Sequence, residues 1–106
     1  MSDFNKWVGT GRLTRDIELQ YLPSGKAIGK GSIASNRKRG EEEKTVFLEF
    51  TVWEKQAEIL AEYTKKGSKV LLSGRLEQDS WEKDGKKFSK IVLVVEDFQF
   101  LEKKEA

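Results

Sequence analysis

The sequence predicts an all-β fold: a small closed or half-closed barrel of five strands with one α-helix between strands 3 and 4. Three observations carry this. Most of the chain alternates apolar and polar residues with the two-residue period of a strand. Turn signals cut it into segments. Only the stretch from Glu54 to Lys66 has the apolar spacing of a helix.

The first strand runs from Trp7 to Tyr21 and ends at the turn Pro23-Ser24-Gly25; the second runs from Lys26 to Asn36 and ends at Arg39-Gly40. Both carry glycine pairs, Gly9 with Gly11 and Gly29 with Gly31, which mark the bulges or bends a small barrel needs to close. The third strand, Thr45 to Trp53, leads into the helix, whose apolar face is Ala57, Ile59, Leu60, Ala61 and Tyr63. Glu54 suits its first turn, Lys65 and Lys66 its last, and Gly67 its C-terminal cap. The fourth strand, Lys69 to Trp81, and the fifth, Phe88 to Leu101, flank Asp84-Gly85, the sharpest hairpin signal in the chain.

Length and composition bound the function. The chain has 106 residues, enough for one domain. We assign residues 1–102 to it and 103–106 to a short polar end. With no cysteine and no histidine, disulfides, Cys/His zinc sites, cysteine nucleophiles and Ser-His-Asp triads are unavailable. Magnesium chemistry on carboxylates survives, leaving a magnesium-dependent nuclease or phosphotransferase as a rival reading. The longest apolar run, Ile91 to Val95, has five residues, against about 18 to 20 for a membrane span. No signal peptide is legible, so the expected compartment is the cytoplasm. Net charge is +2 but uneven: residues 1–40 hold eight Lys or Arg against three Asp or Glu, and residues 41–106 hold twelve against fifteen. That basic skew points weakly to an anionic partner.

The third strand is the most informative. Val46, Leu48, Phe50 and Val52 share one face and read as core, while Thr45, Phe47, Glu49, Thr51 and Trp53 share the other. Phe47 and Trp53 therefore stand on a face whose polar members meet water. The fourth strand repeats the pattern, with Trp81 ending a face that carries Ser73, Arg75, Glu77 and Asp79. One reading hides these rings by two-sided burial, a subunit interface or a reversal of parity. The other makes Phe47, Trp53 and Trp81 base-stacking platforms beside cations that follow a phosphate backbone. On that second reading the strand glycines would admit a nucleic-acid backbone. The candidate phosphate contacts are Lys6, Arg12, Arg37, Lys38, Arg39 and Arg75. Arg37-Lys38-Arg39 is also readable as a solvated hairpin tip balanced by Glu41-Glu42-Glu43, and Tyr21 as a packed ring with a wet hydroxyl.

Gly11-Arg12-Leu13-Thr14-Arg15-Asp16 with Glu18-Leu19-Gln20-Tyr21 resembles the opening of bacterial single-stranded DNA-binding proteins. Val52 to Ser68 is similar almost residue for residue to that family's third strand, helix and following turn. Gly74-Arg75-Leu76, Trp81 and Phe98-Gln99-Phe100-Leu101 continue the match in order. The resemblance implies an oligonucleotide-binding (OB) barrel. Its members are usually homotetramers that bind single-stranded DNA with little sequence preference in replication, recombination and repair. They are not enzymes and need no cofactor. Phe47, Trp53 and Trp81 fall where the family places stacking aromatics.

The chain departs from the family pattern at several points. Arg39 stands near a position that often holds an aromatic, leaving guanidinium stacking as a substitute. Trp7-Val8-Gly9-Thr10 replaces an aliphatic strand used in subunit pairing, and Ile17 stands where proline is common. Glu102 to Ala106 lacks the family's acidic, aromatic-tipped ending, so recruitment of the proteins that read it is not expected of the chain as written. Either that tail has been cut away or the protein is a tailless phage or plasmid relative. The expectation is a nucleoid-associated coat for single strands, with an OB-fold docking module of the primosome type as the alternative.

Overall fold

The computed structural model describes residues 2–102; the expected polar end, 103–106, lies outside them. The elements are β1 (Trp7–Leu13), β2 (Glu18–Tyr21), β3 (Ala27–Arg39), β4 (Glu42–Trp53), α1 (Glu54–Tyr63), β5 (Lys69–Lys83) and β6 (Lys86–Phe100). The sheet order is β1-β5-β6-β4-β3-β2, and a further β1–β3 pairing closes β1, β5, β6, β4 and β3 into a five-stranded ring. All pairings are antiparallel except β4 with β6.

The expected first strand is two strands. Residues 14–17 leave the ladder, and β2 returns to pair with β3 alone, from Glu18 opposite Lys30 to Tyr21 opposite Ala27. The helix keeps its place after Trp53 but follows the fourth strand rather than the third. Closure depends on β1 changing partners: it pairs with β5 from Trp7 to Arg12 and with β3 at Arg12 and Leu13. At that crossing a Cβ on Gly11 would lie 2.4 Å from the Ala34 carbonyl oxygen, so only glycine lets the two backbones meet. This strand glycine serves the barrel and is filled by the chain itself.

Phe50, Val52, Ile33, Val70, Leu72 and Leu93 make the buried centre, and α1 adds Ala57 and Leu60 to it. The helix is shorter than its composition suggested. It stops at Tyr63, Thr64 is extended, and Lys65, Lys66 and Gly67 lie beyond it. Its start is abrupt. Trp53 ends β4 with no side-chain cap, and Glu54 turns the chain at φ 59, a left-handed conformation that costs a non-glycine residue roughly 1–2 kcal/mol.

Two hairpins outrun the core. β3 and β4 stay paired out to Arg39 opposite Glu42, and β5 and β6 out to Lys83 opposite Lys86. Asp84 (φ 53) and Gly85 (φ 78) both adopt the positive φ of a type I′ turn, whose twist matches the strands it joins. The arms thus extend past the last buried pair, and Val46, expected in the core, is 59% exposed on one of them. Only Phe50 and Val52 of that face are fully buried, with Leu48 half-buried between arm and barrel.

Candidate nucleic-acid interface

Strand parity puts Phe47, Glu49, Thr51 and Trp53 on the face of β4 opposite Phe50 and Val52, and the rings are correspondingly open. Phe47 is 69% exposed, Trp53 38% and Trp81 45%. Burial does not explain them within one chain. Trp81 sits opposite Phe88 across β5–β6, the rings stacked with centroids 5.8 Å apart and planes 19° from parallel. Lys90, two residues along β6, lays its Nζ 5.7 Å from the Trp81 ring centre and 2.7 Å from Glu49 Oε2. That one ammonium connects the outer face of β4 to the β5–β6 hairpin. The arrangement offers flat apolar surfaces with a cation between them, which suits stacked bases joined by phosphates.

The six candidate cations divide. Arg75 is held by Glu77 at 2.9 Å and Glu96 at 3.1 Å, and Lys6 lies 3.8 Å from the same Glu96. Glu96 is available because β6 carries an extra residue there: Ser73 pairs with Asp97 and Gly74 with Val95, leaving Glu96 out of register. Arg12 Nη1 donates to the Gly67 carbonyl at 2.9 Å and to Glu102 Oε1 at 3.0 Å. The Lys69 N–H donates to the same oxygen at 2.9 Å, and this backbone bond, with Arg12 beside it, holds the Glu102 carboxyl below the usual carboxylate range against its partial desolvation. Arg12 therefore belongs to a cavity of about 850 Å³ lined by Ile59, Tyr63, Lys69, Phe100 and Glu102, to which none of the three rings contributes.

Arg37, Lys38 and Arg39 are different. They stand opposite Lys44, Glu43 and Glu42 on the β3–β4 arm, and among the described residues none of the three closes an ion pair. Tyr21 is neither packed nor free: its exposed ring directs the hydroxyl to Glu58 Oε2 at 3.3 Å. Among the described residues no group of three or more acidic side chains converges to hold a metal ion.

Phe88 and Lys90 are the functional candidates that the strand-parity argument passed over. A signal was present, because counting back two residues on each side of Lys83–Lys86 pairs Trp81 with Phe88.

A model of the single-strand binding protein family matches residues 4–101. The chain belongs to this family. It is 42% identical to a single-stranded DNA-binding protein of Wolinella succinogenes, over 97% of the chain and 67% of that protein. It is 39% identical to one of Helicobacter hepaticus, over 95% of the chain and 63% of that protein. The chain thus spans about two-thirds of the length of these relatives. A solved structure described as a Plasmodium falciparum SSB complex with ssDNA superposes with a TM-score of 0.89 at 20% identity, covering 96% of this chain and 98% of that one. At that identity the likeness is one of fold, and the closed ring with its single helix is the OB barrel of the family.

Proposed function

We propose that this domain, residues 1–102, coats single-stranded DNA without regard to sequence. Phe47, Trp53 and Trp81 stack on bases, and Arg37, Lys38 and Arg39 follow the phosphates along the β3–β4 arm. The observation that carries this reading is the three open rings, with Lys90 joining Glu49, on the face of Phe47 and Trp53, to Trp81. Each stacked base contributes about 1–3 kcal/mol irrespective of its identity. Lys6, Arg12 and Arg75 are secondary contacts on this reading, because each must first leave a carboxylate or carbonyl. Replication, recombination and repair are the processes that expose such strands. The reading requires neither cofactor nor catalysis, and it places the protein with the nucleoid in the cytoplasm. Among the described residues no helix is long and apolar enough to cross a membrane.

Assembly as a homotetramer is part of the proposal. Among the described residues β1 pairs only with β5 along Trp7 to Gly11, which leaves its other edge without a partner strand there, and Val8 stands exposed on that strand. An open edge recruits a second strand readily. Sedimentation at micromolar concentration reads this directly, and a monomer there would overturn it.

The test of function is a titration of labelled homopolymer single strand and of duplex of equal length, at moderate salt with magnesium present. Tight binding to several single-stranded sequences, weak binding to duplex and an intact strand are expected. Weak binding to every strand would favour the docking-module alternative, and cleavage would favour the nuclease.

A further inference from the structure

We propose that Lys90 is a phosphate contact of the stacking face, held in reserve by Glu49. This inference rests on the strand-binding reading above. Glu49 lies between Phe47 and Thr51 on the face that carries the rings, where a bare carboxylate would repel a phosphate backbone passing from Phe47 to Trp81. Lys90 answers that charge at 2.7 Å and covers part of the Trp81 ring at 5.7 Å.

Both partners remain nearly half exposed, 45% for the lysine side chain and 42% for the glutamate. A pair this wet holds weakly and exchanges readily. A base stacking on the covered part of Trp81 displaces the ammonium, and the long lysine stem carries it to the phosphate alongside. Lys90 is better placed for this than Arg75 or Arg12. Arg75 is clamped by two carboxylates, and Arg12 is committed to a cavity that the rings do not line. Asp79, opposite Lys90 in the β5–β6 register, closes no ion pair among the described residues.

The experiment measures oligothymidylate affinity by anisotropy of an end-labelled strand between about 50 and 200 mM salt, for the wild type, Lys90→Gln, Lys90→Arg and Glu49→Gln. Each phosphate neutralised on a single strand adds about 0.7 to the log–log salt slope. Lys90→Gln should therefore show a slope shallower by about 0.7, so that its deficit against wild type shrinks roughly 2.5-fold across that range. Lys90→Arg should keep the wild-type slope, and Glu49→Gln should bind more tightly than wild type. Thermal melts confirm that all four fold. A wild-type slope in Lys90→Gln, or weaker binding by Glu49→Gln, overturns the proposal. If the wild type binds and only these shifts fail, the strand-binding reading stands without it; if the wild type does not bind, both fall.

Discussion

Replacing Trp81 by alanine separates a ring that binds from a ring that folds the protein. In the free protein Trp81 is nearly half exposed and makes one stack on Phe88 and one approach to Lys90. An aromatic pair contributes about 0.5–1.5 kcal/mol, and a cation over an exposed ring about 0.5–1 kcal/mol. These two contacts together contribute about 1–2.5 kcal/mol beyond the area the ring covers, so Trp81→Ala should leave the fold intact in a domain with about 5–15 kcal/mol of stability. The effect on binding is larger in proportion. Losing one stacked base costs about 1–3 kcal/mol, and with 1.4 kcal/mol per tenfold that is a dissociation constant raised roughly 5- to 140-fold. Phe50→Ala is the contrasting variant. Its ring is 1% exposed at the centre of the core, and truncation there costs about 3–5 kcal/mol of stability. Anisotropy with a labelled oligonucleotide reads binding without relying on tryptophan emission, and chemical denaturation reads the fold. Trp81→Ala that unfolds like Phe50→Ala, or that binds as well as wild type, refutes the reasoning.

Two other outcomes follow from the geometry. Gly11→Ala drives a methyl group against the Ala34 carbonyl where β1 crosses to β3, and should cost about 1–3 kcal/mol of stability by denaturant melts; an unchanged midpoint would mean the ring closes with slack. Glu102 has its folded pKa lowered, chiefly by the Lys69 N–H, so its stabilising contribution is complete above the ordinary carboxylate range and is lost as pH falls through the depressed value. Glu102→Gln should accordingly flatten the acid side of a melting-temperature profile, whereas a profile parallel to wild type would show that this bond does not secure the end of β6.

Most of the barrel was legible because its signals are local. The two-residue alternation around Phe50 and Val52, the Asp84-Gly85 turn and the isolated helical face of Ala57 and Leu60 each needed only neighbouring residues to read. The break at residues 14–17 was not legible, since nothing in Thr14-Arg15-Asp16-Ile17 forbids extended backbone; the barrel's closure onto β3 decides it. The burial of Val46 was misread for a related reason. Alternation tells which face a side chain takes, and it cannot tell where along a hairpin the core stops beneath that face. Among the cations, sequence placed Arg37, Lys38 and Arg39 on an arm where they close no ion pair among the described residues. It could not foresee that Glu96, pushed out of register by the bulge, would take Arg75 and Lys6, or that Glu102 would return to Arg12. Those carboxylates are distant in sequence and meet the cations only once β5, β6 and β1 are in register.

The most direct measurement uses the protein's own fluorophores. Trp7 packs against the core from β1, so Trp7→Phe leaves Trp53 and Trp81 as the sole tryptophans, both on the proposed stacking face. Titrating that variant with oligothymidylate should quench its emission in step with binding measured by anisotropy, because the bases stack in direct contact with the indoles. Saturated binding with the emission unchanged would contradict the stacking face and send the strand elsewhere on the barrel.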